Sequence, residues 1–330
     1  MKTWDTELAT NLLPWLLQAD NPSVRFFALR DLLDRPTTGP EVGQVQAAIM
    51  DYPPVCSILD HLSTPGYWEQ SGNEHIRAHV VWVLLLAELG ADPYHPLVRK
   101  ACEFVLETMQ RGDGAFLSRH PVYSGVRTCT QGLATEALLR LMPALNPRLE
   151  RAVEFAASMA YECAYNDGLP CAWGAVKLLR LMAAIPAQRR GPAVAKAIRR
   201  GVDFLLSHDL AQANFPCVEA ISPEWFKFGF PRGYQSDILE TLETLAQLGW
   251  PPDPRFEAAV ALVLHKRRPD GRWHSEFVSP RARELGIDRE GVPSKWITLR
   301  ALRVLKWWVP LHLSDEGKRG SCRAQQRQGT

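Results

Sequence analysis

Apolar residues recur at spacings of three and four along most of the 330-residue chain. That is the period of a helix with a buried face, and the alternation expected of a strand is almost absent. Caps and first-turn prolines, such as Asn21-Pro22, punctuate the pattern into roughly twelve helices. They fall into pairs near residues 4–18 and 22–34, 40–52 and 75–89, 96–110 and 129–142, 147–160 and 170–184, 189–208 and 235–248, and 254–267 and 294–308. First members such as 199–208 and 255–266 carry charge along one face, so they are expected outside. Second members such as 172–182 and 296–305 are apolar on more than one face, as helices packed between two neighbours must be. The second members begin at a loose period of roughly 40–65 residues, which means stacked supersecondary units. The expected fold is all-α, a single domain over residues 1–312 built from about six hairpins closed into an (α/α)6 toroid. An open solenoid of the same hairpins is the alternative. Residues 313–330 are polar and aperiodic, a tail expected to be disordered.

Composition narrows the classes. A hydrophobic fraction of 46% supports a large core. The formal net charge of +2 supplies no field that would draw nucleic acid, so no nucleic-acid partner is expected. No apolar run is long enough to span a membrane, although peripheral contact with one stays open, and the N-terminus lacks the layout of a signal peptide. Seven cysteines without CxxC spacing fit reduced thiols, and hence a cytoplasmic location. No feature of the sequence sets the oligomeric state.

Three links between helices share an Asp-Gly turn followed by a bulky residue: 112–116 (GDGAF), 166–169 (NDGL) and 269–273 (PDGRW). The longer stretch 100–116 (KACEFVLETMQRGDGAF) resembles the QW repeat of squalene-hopene and oxidosqualene cyclases. It has one extra residue before Gln110, and Phe116 in the place of the tryptophan. Residues 255–273 are similar, with Arg267 where the glutamine is expected. The resemblance covers most of 20–308 and implies the toroid scaffold of terpenoid cyclases and protein prenyltransferases. It does not carry over catalytic residues. The Asp-x-Asp-Asp acid of class II triterpene cyclases is absent, as is the Asp-x-Cys pair that prenyltransferase β subunits use with a histidine to bind zinc. Those cyclases also use two toroid-type domains, and this chain has length for one.

In a toroid the first turns of the inner helices meet at one rim, which gives the candidate site. Asp237 is its acid: a carboxyl in an aromatic pocket holds its proton and can donate it, while the same residue at a helix start also serves as a cap. Trp68, Trp173, Trp225, Phe226, Phe228, Phe230 and Trp296 would shape a cavity and face developing positive charge, or simply pack the core. Tyr234 and Gln235 lead into the same helix, and Lys295 would pair with a diphosphate or with Asp237. Cys129 and Cys171 open neighbouring inner helices in parallel contexts, RTCTQG and LPCAWG, each with a glycine three residues on. Such a pair is a candidate for Zn²⁺, with Asp237 or a histidine as a further ligand. Lanthionine cyclases, also α/α toroids, bind zinc through Cys, Cys and His, but their Cys-His-Gly motif is missing here. His75 and His79 share one helical face, a weaker metal pattern without a third ligand in view.

Three functions follow as expectations. The first is a terpene cyclase-like isomerase or lyase acting on a small isoprenoid or other apolar substrate by acid initiation from Asp237. The second is a zinc-dependent transferase or lyase using Cys129 and Cys171. The third is a non-catalytic scaffold that binds a lipid or a partner in the same cavity.

Overall fold

The computed structural model describes residues 6–70, 72–122, 124–142, 146–215 and 222–308. The predicted tail at 313–330 lies outside these residues. The first third contains α1 (Thr6–Leu16), α2 (Pro22–Phe27, continued by a π-helical turn Ala28–Leu32), α3 (Pro40–Ile49), α4 (Pro53–Ser63) and α5 (Asn73–Leu89). Then come α6 (Pro96–Met109), a short antiparallel ribbon of β1 (Leu117–Arg119) and β2 (Ser124–Val126), α7 (Thr128–Leu141), α8 (Pro147–Ser158) and α9 (Ala172–Ala183). The chain continues through α10 (Pro192–Leu206), α11 (Ile238–Leu248), α12 (Glu257–His265), α13 (Pro280–Glu284) and α14 (Lys295–Trp308). The fold is all-α. Each of the twelve predicted helices is present, while α4, α13 and the ribbon fall within stretches read from the sequence as loops.

The two members of each pair differ as their sequences require. Helices α3, α4, α6, α8 and α10 begin with proline, whose fixed φ suits a first turn and whose missing N–H costs nothing there. Each buries a single stripe. In α10 the buried residues are Val194, Ala197, Ile198, Gly201, Val202, Leu205 and Leu206, the i, i+3, i+4 pattern, with charge on the other side. Helices α5, α7, α9, α11 and α14 start without proline, out of longer loops, and are buried on several faces. In α11 nearly every residue from Ile238 to Leu245 is buried.

The buried helices pack in chain order: α5 on α7, α7 on α9, α9 on α11, and α11 on α14. Helix α14 then returns to the first pair. Lys306 Nζ donates to the carbonyls of Asp31 and Leu32 at 3.0 and 3.2 Å, and Arg303 pairs with Asp31 at 2.5 Å. The ring of Phe27 in α2 lies beside Gly90, where α5 ends. The proline-first helices cover this succession, α3 on α2, α6 on α5, α8 on α7 and α10 on both α8 and α9.

Two glycines show how closely the units fit. A Cβ on Gly132 would stand 2.5 Å from the carbonyl carbon of Lys177, so only glycine lets α7 and α9 touch at this point. Gly114, in the first Asp-Gly turn, has φ of +96° and rests against the backbone of Arg151 in α8. Around it Gln131, fully buried, accepts from Phe116 N (2.8 Å) and donates to the carbonyls of Gly114 (3.2 Å) and Ala152 (3.0 Å), while Gln110 reaches Arg148 O at 2.8 Å. In the last such turn Trp273 is fully buried and donates its indole N–H to Val263 O at 2.7 Å. The first turn thus pins the third pair to the fourth, and the last ties the two helices of the sixth pair together through Val263 and Thr298.

Candidate functional site

The helices that pack in succession are apolar except for one stripe of charge each. Glu88 comes from α5, Glu136 and Arg140 from α7, Lys177 and Arg180 from α9, Glu240 and Glu243 from α11, and Arg300, Arg303 and Lys306 from α14. Apart from Lys177, these side chains wall a cavity of about 700 Å³, together with Arg30, Asp31 and Asp34 from the first pair and Phe230 and Arg232 from the loop before α11. All six second members therefore contribute to one space.

The charges are paired almost throughout. Lys177 Nζ binds both carboxylate oxygens of Glu240 at 2.6 Å, with both side chains buried. Arg180 reaches three acids: Glu240, Glu136 at 2.8 Å and Glu88 at 2.6 Å. On the opposite wall Arg300 and Arg303 hold Glu243 at 2.7 and 2.5 Å, and Arg303 continues to Asp31. Burial pushes the Glu240 carboxyl up, but Lys177, Arg180 and Arg300 more than reverse this and hold it well below the usual carboxylate range. Glu88 behaves alike: burial opposes ionisation, and Arg180 and Arg140 bring it down to about 2. These acids are ionised partners of cations, not proton donors.

The pairing has a gap at one end. Arg232 is buried, with its guanidinium over the Phe277 ring at 4.6 Å. Its Nη2 donates to Glu224 O at 3.0 Å, but Nε and Nη1 have no hydrogen-bond partner. Arg300 Nη2 and the indole N–H of Trp296 are likewise buried and unpartnered. Phe230 stacks on Trp296 with ring centroids 3.9 Å apart and planes 13° from parallel. Arg232, Arg300, Trp296 and Phe230 all line the cavity. The wall thus offers an aromatic pair beside an indole N–H and guanidinium N–H groups whose nearest carboxylates, Asp237 and Glu224, stand at 3.5–3.9 Å, too far for a good hydrogen bond. Buried donors left open in this way are rare in folded proteins.

Asp237 stands next to this gap but not in it. Its carboxylate is fully buried, and it caps α11 by accepting from Glu240 N at 2.6 Å. The other oxygen accepts from Gly229 N at 3.2 Å, tying the aromatic loop to the helix. Burial raises its proton affinity, and Arg300 and Arg232, at 3.8 and 3.5 Å, only partly offset this. The cavity wall beside it is formed by Arg232 and Arg300, and Asp237 stands behind these two guanidiniums. The cap accounts for the bond from Glu240 N, and the remaining contacts tie the aromatic loop and two guanidiniums to the same carboxylate.

The remaining sequence candidates disperse. Trp225 is buried and bonds Leu210 O through its indole at 2.9 Å, and Phe228 packs in the core under Lys266. Phe226 is half-buried against the same core. Trp68 lies with Tyr67, His79 and Phe104 beside α6, away from the cavity, with Lys100 Nζ 4.4 Å above its ring. In that group His79 Nε2 meets Ala101 O at 3.0 Å and Nδ1 meets the Tyr67 hydroxyl at 3.1 Å, so both its nitrogens are engaged within the protein. Trp173 meets Tyr234 edge to face at 6.1 Å; Tyr234 is exposed and Gln235 half-buried. Lys295 turns away from Asp237 to Asp20 and to Gln18 Oε1, the latter at 2.9 Å.

Lys295 and Trp296 also wall a second hollow of about 560 Å³ with Trp15, Tyr52 and Asp288. Burial pushes the Asp288 carboxyl up to about 6 although Ser294 Oγ donates to it at 2.6 Å. Cys129 lies in the first turn of α7 and Cys171 at the start of α9, both as free thiols. Among the described residues no three His, Cys, Asp or Glu side chains gather closely enough to hold a metal ion, so no zinc chemistry is derived from this pair.

No protein-family model matches the chain, and no curated protein compared with it matches either. Among the described residues no helix is long and apolar enough to cross a membrane.

Proposed function

We propose that the helix pairs form a closed (α/α)6 toroid of the terpenoid-cyclase and prenyltransferase type. Its central cavity takes a small ligand with an anionic head and an apolar body, of which a prenyl diphosphate is the model. Three features support the toroid: the ordered packing of the buried helices, the return of α14 to the first pair, and the first Asp-Gly turn, which pins the third pair to the fourth.

The observation that carries the ligand class is the set of unpartnered buried N–H groups on Arg232 and Arg300 at the cavity wall. An anion supplies the acceptors these groups lack, and charge-assisted bonds of this kind are the strong ones. Phe230 and Trp296 would pack the carbon chain beside them. A neutral hydrocarbon such as squalene fits poorly, because it would leave a wall of charges desolvated without compensation. The same reasoning moves the chemistry away from protonation by Asp237. With a diphosphate on the guanidiniums, the charge that develops on a departing leaving group is stabilised, and the aromatic faces accept the cation left behind. The reading is therefore an ionisation-initiated isomerase or lyase.

Calorimetric titration with farnesyl diphosphate, farnesol and squalene tests this. Farnesyl diphosphate is expected to bind, and Arg232→Met to weaken it by roughly 10- to 100-fold, the value of one charged hydrogen-bonding group. Equal binding of farnesol and the diphosphate would overturn the anion seat. Tight binding of the diphosphate without turnover would leave the non-catalytic binding scaffold as the function.

A further inference from the structure

Away from the cavity, thiols gather where α7 and α9 begin. Between α8 and α9 the chain folds back on itself. Cys163 N donates to Leu169 O at 3.1 Å and Cys171 N to Tyr161 O at 2.9 Å, on either side of an antiparallel bridge between Glu162 and Pro170. Asp167 and Gly168, both at positive φ, close the turn. In this register Tyr161, Cys163, Leu169 and Cys171 project from one face of the ladder, because side chains alternate along a strand. Cys163 and Cys171 are therefore diagonal neighbours across the ladder. Both are free and half-buried, so a small solute reaches them.

The surroundings give the two sulfurs different roles. Cys163 has the Cys171 thiol, the backbone N–H groups of Tyr165 and Asn166 and the Arg127 guanidinium around it. Chiefly through Cys171, these neighbours bring its thiol down to about 6, which favours the thiolate. Cys163 and burial act the other way on Cys171 and favour its thiol form, with Cys129 adding to this. Cys129, which also faces Arg127 and Lys177, is raised by burial and stays a thiol.

We propose that Cys163 and Cys171 form a hydroperoxide-reactive pair that closes reversibly to a disulfide, Cys163 attacking and Cys171 resolving. The Cys163 thiolate attacks the peroxide: an S–O bond forms, the O–O bond breaks, and hydroxide leaves and takes a proton to become water. The Cys171 sulfur, giving up its proton to the departing oxygen, then attacks the Cys163 sulfenic acid. The S–S bond forms, the S–O bond breaks, and a second water leaves. Two thiols and one hydrogen peroxide yield a disulfide and two waters. The product locks the fold-back that leads into α9.

The test uses the full chain, reduced and then treated with hydrogen peroxide at equimolar concentration. Non-reducing peptide mapping is expected to show a Cys163–Cys171 cross-link that dithiothreitol reverses. In Cys171→Ser the sulfenic acid should persist on Cys163 and be captured by dimedone. Before oxidation, iodoacetamide should modify Cys163 about tenfold or more faster than Cys129, following the thiolate fractions. A cross-link through Cys129 instead, dimedone capture spread evenly over the thiols, or oxidation unaffected by Cys163→Ser would each overturn the proposal. Circular dichroism of both serine variants separates these outcomes from misfolding.

Discussion

The aromatic layer before α11 and the charged wall one turn further along differ in how completely their polar atoms are used. In the first, the buried Trp225 indole has a backbone carbonyl to meet, Leu210 O, as the Trp273 indole beyond α12 meets Val263 O. Asp237 has two N–H groups for its two oxygens. Ser236 Oγ and Glu224 Oε2 are the exceptions, buried there without a hydrogen bond. On the wall, by contrast, Arg232, Arg300 and Trp296 keep donors open to a cavity. A satisfied buried polar group does structural work; an unsatisfied one beside a cavity is where an outside molecule has something to gain. Aromatic density marks the first region and buried charge the second, and the second is where binding is expected.

The largest effect should come from breaking the wall itself. Glu240→Ala leaves Lys177 buried with no counter-charge and strips one partner from Arg180. Losing one side of a buried pair costs about 3–5 kcal/mol. Denaturant melts should show this loss, and a shift below about 1 kcal/mol would mean that water already enters the network. Trp273→Ala probes the packed layer: removing a fully buried indole should cost about 3–5 kcal/mol by cavity formation. Its effect on ligand affinity should be far smaller than that of Arg232→Met, which reverses the order of the two residues between stability and binding.

Much of the helix framework is legible in the sequence, because proline-first helices and apolar stripes are local signals. α4 escapes because Pro53-Pro54 reads as a loop although a first turn accommodates both. The charged cavity lies beyond the helix starts that the local signals mark. Helix starts drew attention through Asp237, Cys129, Cys171 and Lys295, whereas the cavity is walled by charges set inside apolar helices. A signal for these exists: Lys177 and Arg180, Glu240 and Glu243, and Arg300 and Arg303 are each spaced i, i+3 within otherwise buried helices, and charges seldom sit there unless paired. Which charges meet, and that Arg232 keeps N–H groups without a hydrogen bond, depends on contacts between residues far apart in the chain, such as Lys177 with Glu240. No local pattern encodes that.

Acid should loosen the wall more gradually. Burial raises the Glu88 carboxyl but Arg180 and Arg140 bring it from 4.5 down to about 2 in the folded protein. A group depressed in this way stabilises the fold above its unfolded value and loses that contribution as pH falls through the folded one. Stability should therefore drop by on the order of 3 kcal/mol between pH 4.5 and 2 from this residue. Glu88→Gln should flatten that part of the profile, starting from a lower plateau at neutral pH. An unchanged slope would mean that Arg180 spends its charge on Glu136 and Glu240 alone.

The smallest change belongs to Tyr234→Ala. Tyr234 stands among the aromatics that precede α11, yet it is 59% exposed, and its one ring contact is the edge-to-face pair with Trp173 at 6.1 Å. Truncating it should move stability by no more than about 0.5 kcal/mol, as for most surface positions. Affinity for farnesyl diphosphate should stay within about twofold, because the ring is not on the cavity wall. A loss of affinity matching that of Arg232→Met would make Tyr234 part of the entrance, and would return the binding site to the aromatic layer at the starts of the helices. An unchanged affinity beside a strong Arg232 effect keeps recognition with the open guanidinium donors.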